Sequence, residues 1–369
     1  MADWSAADIA RGALLLLAVA LVALTALPWL RATAGWVRVW DFPRPQIAAL
    51  LALTLAGLIA LSEWREAGTL AVLGAAGVAL AAQLWRIWPY TRLHRPQVRA
   101  AEPDAPGEDI ALLAANLQLR NSGAERLLAL VRRMSPDIVF VVELDESWAD
   151  ALEPLKDEYP HRLVHPRRDF WGMALYSRLP LVQPEVHFLL EDYVPSIRTG
   201  LRLPSGTVVS FHGVHPKPPM MFGHGTVQRD AELVLAAQAV GSGPRPAILA
   251  GDLNAVAWSR ETELFMRAGG LLDPRIGRGL FSTFPANWPW FLRWPLDHVF
   301  FSGHFRLLWL AKMPDIGADH LPLHVTLRLQ PGPPQPEPLP RAEDGAAIRR
   351  IIAAGRRAAG EEGSASPER

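Results

Sequence analysis

The chain has 369 residues, half of them hydrophobic, with 37 basic and 37 acidic side chains and no cysteine. Disulfides and cysteine-based zinc sites are therefore excluded. A formal net charge of zero gives no global pull toward nucleic acid or an anionic surface.

The first 90 residues differ in texture from the rest. Ile9 to Leu30 is an apolar run with one charge, Arg11; Ile47 to Leu61 has none; Leu70 to Trp88 is charged only near its end, at Arg86. A helix needs ~20 apolar residues to cross a bilayer. The first and third runs reach that length, and the second does so when extended to Trp64. No run shows the polar face that a soluble surface helix would carry. Trp29, Trp36, Trp64, Trp85 and Trp88 lie at or near the run ends, where interfacial aromatics belong. These features predict a membrane anchor over residues 1–90, with transmembrane helices at 9–30, 47–64 and 70–88. A buried helical hairpin in a soluble protein is the alternative. A cleavable leader fits poorly, because the segment before the first run is acidic and two more apolar runs follow.

Three spans place the chain ends on opposite sides of a cell membrane. Arg31, Arg38, Arg44, Arg86, Arg92, Arg95 and Arg99 fall on the side of the long C-terminal region, against Arg11 and Arg65 on the other. The positive-inside rule then puts that region in the cytoplasm.

Residues 91–109, with three prolines and no apolar period, read as a linker. From Ile110 the pattern is that of a globular α/β domain, extending over 110–330. Strands are expected at Ile110–Ala115, Ile138–Val142, Met173–Tyr176, Val208–His212, Ala247–Ala250, His298–Ser302 and His324–Leu329. Helices are expected at Ala124–Met134, Gln228–Val240 and Arg260–Ala268. Residues 331–369 begin PGPPQPEPLP and lack large apolar clusters, so they read as a disordered tail with a weak helix near Ala346–Ala359.

Polar residues recur at strand boundaries: Asn116, Glu143, His215, Asp252 and Asn254 after apolar runs, and Asp297-His298 and Asp319-His320 before them. In GDLN, Asp252 and Asn254 are two apart, which on an extended chain means one shared face. Taken singly, each such residue is more often a turn former, a solvated group or a structural histidine. Taken together, in a layered fold whose strand ends converge on one edge, they form a specific set. Oxygen ligands without cysteine suit a hard cation, Mg²⁺ or Mn²⁺. Imidazoles beside carboxylates suit proton transfer or stabilisation of phosphoryl charge. The combination describes metal-assisted phosphoester hydrolysis.

The ordered set AANLQ, SPDIVFVVE, GMALYSRLP, HGVHPKPP, GDLNAVAWS, PLDHVF and GADHLPL resembles the endonuclease/exonuclease/phosphatase superfamily from Ile110 to about Leu329. The resemblance implies an α+β four-layer sandwich, two mixed sheets flanked by helices, with the site at one edge. It also implies roles. Glu143 would ligate the divalent cation with Asn116 and Asp319 nearby. Asp252 and Asn254 would position or activate the attacking water and hold phosphate oxygens. His320, oriented by Asp297, would stabilise the transition state or move a proton, and His215 would bind phosphate. Two departures stand out: Ala318 sits where a serine often precedes the Asp-His pair, and no equivalent of the abasic-site nucleases' tyrosine is evident. Asn287, Arg198, Arg202, Arg229 and Arg293 are further candidate substrate contacts, each more simply read as a solvated side chain on the surface.

Residues 110–330 contain 22 basic and 22 acidic side chains, with no basic track for a nucleic-acid backbone. The Trp-rich stretch Phe281–Trp294 suits a loop that dips toward lipid, or an apolar pocket wall. A core segment is the plain alternative. The expected substrate is therefore a phosphorylated lipid or small phosphoester beside the bilayer. A membrane-tethered nuclease is the second reading, and a non-catalytic receptor or scaffold the third. The presence of every motif residue speaks against the last.

Overall fold

Two sheets form because the apolar strand runs come in two sets, each with one pair of strands joined through a helix. The computed structural model describes residues 5–30, 32–61, 66–102, 104–219 and 225–365. Arg31, Trp64, Arg65, Pro103 and residues 366–369 lie outside these. The N-terminal region holds α1 (Ala6–Ala26), the short α2 (Gly35–Arg38), α3 (Arg44–Leu61) and α4 (Ala67–Ile87). The first sheet contains β1 (Glu108–Asn116), β2 (Ile138–Val142), β3 (His161–His165), β4 (Met173–Ser177), β10 (Phe305–Lys312) and β11 (Leu323–Leu329), in the order β10-β11-β1-β2-β4-β3. The second contains β5 (Leu181–Phe188), β6 (Pro195–Arg202), β7 (Val208–Val214), β8 (Ala247–Asp252) and β9 (Asp297–Phe301), in the order β5-β6-β7-β8-β9.

Each sheet has one parallel pair, β1 with β2 and β7 with β8. A parallel pair needs a crossover, supplied by α5 (Ala124–Met134) and α7 (Val227–Ser242) respectively. The remaining helices are α6 (Glu146–Ala151), α8 (Arg260–Gly269) and α9 (Asp344–Ala365). Between the sheets lies the main core, where Phe140 of β2 meets Phe211 of β7 with ring centroids 5.6 Å apart. A second core under α7 and α8 includes Leu233, Leu249, Trp258 and Phe265. A third, under α5, includes Leu127, Val131 and Val139.

The expected central strands and three helices all form, with ends shifted by a few residues. Four strands, β3, β5, β6 and β10, fall outside those expectations. Three, β3, β5 and β10, are sheet edges, and their mixed polar texture, with Pro184 inside β5, is what edge strands carry.

Two stretches read as unstructured are ordered. In the expected linker, Val98 is buried in the main core, Gln97 accepts from Asp273 N at 2.8 Å, and Ala101 N donates to Leu307 O at 2.9 Å. In the expected tail, buried Gln335 accepts from Arg99 N at 3.0 Å and donates to Phe305 O at 2.6 Å. The tail helix α9 is longer than expected, and Arg267 of α8 grips Asp344 at its start through two bonds of 2.7 and 2.8 Å. Gly355 lets α9 approach α7 so closely that an added Cβ would lie 2.2 Å from Ala231 Cβ. Composition reports the absence of a self-sufficient core, but not the chance of docking onto someone else's.

Three helices are long and apolar enough to cross a membrane: Ala6–Trp29, Arg44–Leu61 and Ala67–Tyr90, with mean hydropathies of 2.3, 1.7 and 1.7. A buried polar chain ties them together: Arg44 donates to Gln83 at 2.9 Å and Gln83 to Thr25 at 3.0 Å. Such bonds join helices where apolar contact alone is nonspecific. The segment leading into α3, the first turn of α3 and the end of α4 meet the sandwich. There Trp258 Nε1 donates to Asp41 O at 2.7 Å, Tyr90 OH to Ala257 O at 2.6 Å, and Arg86 to Glu263 at 2.6 Å, while Arg38 pairs with Glu261.

Two histidines in the sandwich make the fold acid-sensitive. Burial lowers His212 to about 4, with Arg198 and His187 adding to the effect, and burial lowers His324 to about 4. Both folded values lie below the ordinary ~6.5. Their stabilising contribution is thus complete above about pH 6.5 and is lost as pH falls toward about 4, on the order of 2–3 kcal/mol for His212. The thermal midpoint of the full chain in detergent should fall across that window, and fall less in a His212→Asn/His324→Asn variant. Equal slopes for the two proteins would contradict this account.

Candidate active site

The topology gathers the polar residues at one edge. The C-terminal ends of β1, β2, β7 and β8 point the same way, and the antiparallel β9 and β11 begin there. Asn116, Glu143, His215 and Asp252 leave on the outgoing strands; Asp297, Asp319 and His320 arrive on the incoming ones. Asp252 and Asp297 are direct register partners across β8 and β9, so two carboxylates face each other. Gly251, with φ of +152°, lets the end of β8 lie close against β7, since a Cβ there would lie 1.8 Å from Val214 O.

Asn116 joins the sheets at this edge. Its Nδ2 donates to Glu143 Oε1 at 2.9 Å and to Asp252 Oδ2 at 3.1 Å, and its Oδ1 accepts from Gln118 N at 2.9 Å. The amide thus clamps two carboxylates. Glu143 Oε2 also accepts from Leu119 N at 3.1 Å. Glu143 sits at φ of +59°, a strained backbone for a non-glycine residue and the kind that clusters at functional sites.

His320 lies between two acids. Its Nδ1 is 2.8 Å from Asp297 Oδ2 and its Nε2 is 3.6 Å from Asp252 Oδ2. Burial opposes the charged imidazole, but Asp297 and Asp252 outweigh it and push His320 up to about 10. The site therefore holds an imidazolium at neutral pH, a hydrogen-bond donor and positive charge. The ring of Phe284 packs on it at 4.7 Å. Burial raises Asp252 above the usual carboxylate range, with Asp297 adding and His320 and His215 opposing. His215 is buried, with Nε2 3.8 Å from Asp252 Oδ2 and Trp171 against its ring at 5.4 Å. Its Nδ1 is buried without a partner among the described residues, and burial lowers its pKa.

The donor set suits a hard cation. Burial raises Asp319, with the charge of Glu143 adding to the effect against His320, and no basic side chain makes an ion pair with it among the described residues. Two oxygen ligands that repel each other are the electrostatic setting a divalent ion relieves. Asp252, Asp297 and His320 also lie close enough together, within 4.8 Å, to hold a metal. The positive charge on His320 disfavours that, because a ligating imidazole must be deprotonated.

Asn254 departs from the sequence expectation. The chain turns at φ of +50° just beyond β8, so the spacing of two does not put its side chain beside that of Asp252. Asn254 N instead caps Asp252 Oδ1 at 2.9 Å, and Nδ2 reaches Pro216 O at 3.0 Å, next to His215. Arg229 is buried, held by Asp230 and by Asn254 O at 2.9 Å, so it supports the turn rather than meeting substrate. Arg198 and Arg202 are exposed on β6, Asn287 is exposed, and Arg293 donates to backbone carbonyls. His298 is fully buried, bonded to Ala255 O at 2.8 Å and to Arg275, and burial takes it well below its usual pKa; it braces the loop after Asp252. Gln118 escaped the sequence reading: at φ of +55° it accepts from Asp319 N at 3.0 Å. Its only signal was its place two residues after Asn116.

A family model described as the endonuclease/exonuclease/phosphatase family matches residues 113–320. The chain belongs to that family. Solved structures share the fold. An endonuclease/exonuclease/phosphatase from Beutenbergia cavernae is 18% identical, covering 60% of this chain and 72% of its own, with a TM-score of 0.50. D. rerio TDP2 complexed with single strand DNA product is 17% identical, covering 60% and 99%, with a TM-score of 0.50. At these identities the likeness is one of fold. No curated protein matches the sequence.

The electrostatics of His320 can be tested without turnover. In metal-free, histidine-labelled protein, Asp297→Asn should lower the His320 pKa from about 10 toward the ordinary histidine range by removing its nearest counter-charge. An unmoved imidazole titration would contradict the assignment.

Proposed function

We propose that the protein is a membrane-anchored, divalent-metal-dependent phosphoesterase acting on a lipid-linked or small-molecule phosphoester. The observation that carries this reading is the charged His320 held between Asp297 and Asp252, at the same edge as the Glu143–Asp319 pair.

In this reading Glu143 and Asp319 hold Mg²⁺ or Mn²⁺, and Asn116 fixes the Glu143 carboxylate against Asp252. When bound, the ion supplies charge neutralisation at a phosphoryl oxygen. Asp252, with a raised proton affinity, orients or accepts a proton from the attacking water, and the turn at Asn254 aims that water's partners. His320, locked by Asp297, donates to a phosphoryl oxygen as negative charge develops. His215 offers its unpartnered Nδ1 to the phosphate. The protein would be a multi-pass protein of the cell membrane with its catalytic domain in the cytoplasm, on the side of Arg38, Arg44, Arg86, Arg92, Arg95 and Arg99. The balanced charge of the domain favours a lipid or small molecule over a nucleic acid.

The test uses the full-length chain in detergent with Mg²⁺, assayed on an isoprenyl pyrophosphate and on plasmid DNA. Phosphate release without nicking is expected. Asp252→Ala and His320→Ala should each lower the rate by about 10²–10⁴, and chelation should abolish it. Full activity in both variants would sink the proposal, whereas nicking that disappears in Glu143→Ala would make the protein a tethered nuclease.

A further inference from the structure

The loop that packs on the site has a second face, and that face closes a groove against a membrane-length helix. On one wall are Ala49 and Leu50, from the first two turns of α3; on the other are Leu280, Phe281, Phe291 and Leu292. The groove encloses about 600 Å³, enough for one hydrocarbon chain. Its α3 wall continues directly into the apolar surface of that helix. Beside it Trp288, Trp290 and Phe291 are exposed, Trp290 at 77%. Aromatic side chains exposed beside a membrane-length helix mark the lipid boundary.

The charged groups of the groove are of one sign. Arg293 and Lys312 line it, and no carboxylate does. Among the described residues the Lys312 side chain has neither a hydrogen bond nor an ion pair, and the Arg293 guanidinium reaches only the carbonyls of Trp288 at 2.8 Å and Ala286 at 2.6 Å. Burial, with the nearby charge of Arg293, lowers the Lys312 pKa. Two uncompensated cations beside an apolar channel complement a molecule with a hydrocarbon tail and an anionic head.

The same loop reaches the catalytic edge. Within residues 281–294, Phe284 packs on His320 and Ala286 N donates to Asp319 O at 2.7 Å. Gln46 of α3 holds the loop from the other side, donating to Phe291 O at 2.7 Å and accepting from Trp294 Nε1 at 3.4 Å. One loop therefore separates the groove from His320.

We propose that this groove receives the hydrocarbon tail of a phosphate-bearing lipid, with Arg293 and Lys312 meeting its headgroup at the entrance to the site. The inference rests on the phosphoesterase reading for its enzymatic consequence, since it names the substrate class of that same site.

Two chromogenic phosphodiesters with the same leaving group separate tail from chemistry: dodecyl and methyl p-nitrophenyl phosphate, given to the full-length chain in detergent with Mg²⁺. The dodecyl ester should be preferred in kcat/KM by at least about tenfold, because only it buries apolar surface. Ala49→Trp, which fills the groove, should collapse that ratio toward unity. Lys312→Glu should raise KM for the dodecyl ester more than for the methyl ester. A ratio that survives in Ala49→Trp overturns the groove while leaving the phosphoesterase reading intact. A second arm needs no turnover: a diazirine-bearing dodecyl phosphate should label the peptide spanning 281–293, less so in Ala49→Trp and in Lys312→Glu. Labelling there without hydrolysis of either ester supports the groove and removes the phosphoesterase reading. Labelling elsewhere overturns the groove whatever the kinetics.

Discussion

Everything at the polar edge of the sandwich depends on holding four carboxylates, Glu143, Asp252, Asp297 and Asp319, where two sheets meet. Left alone they would repel one another and protonate. The fold answers with donors: the Asn116 amide shared by Glu143 and Asp252, the backbone N–H of Leu119 and Asn254, and the imidazolium of His320. The compensation is incomplete. Asp252 and Asp319 keep raised proton affinities, which leaves the edge receptive to a further positive charge. The backbone shares in the cost, with Gln118, Glu143 and Asn254 all at positive φ.

Much of this was legible in the sequence, for a physical reason. Buried central strands are continuous apolar runs, and a polar residue at the end of such a run has nowhere to go but the sheet edge. That is why Asn116, Glu143, Asp252 and Asp319 stand out in the sequence as residues of that edge. What escaped depends on tertiary context. Strand β5 sits at an edge and alternates irregularly, so no period marks it. The spacing of Asp252 and Asn254 misled because the chain leaves extended geometry between them. His298 looked like a site residue and is a brace; Arg229 looked like a phosphate contact and is a buried support. Phe284 and Trp171 touch the site histidines from loops whose path only the fold determines.

The apolar helices and the sandwich are joined more intimately than a tethered domain would be. Phe42, Ile87 and Tyr90 belong to the same apolar cluster as Leu249 and Phe300 of the second sheet. The Arg44–Gln83–Thr25 chain fixes the helix ends against one another, and the Gln46 amide fixes α3 to the loop over His320. Position relative to the helices is thus built into the site by hydrogen bonds of defined geometry.

The Trp258 contact carries a practical consequence. Its indole is 1% exposed because residues of the N-terminal region cover it, and its N–H is satisfied by Asp41 O, more than two hundred residues earlier in the chain. It stands in the segment that follows directly from Asp252 and Asn254. Cutting the chain after the third apolar helix would strip that cover and expose a large aromatic surface beside the edge that carries Asp252. The cooperative unit that must fold together therefore does not coincide with the segment that carries the motifs. A trimmed, water-soluble fragment is a different molecule from the one whose chemistry the motifs describe.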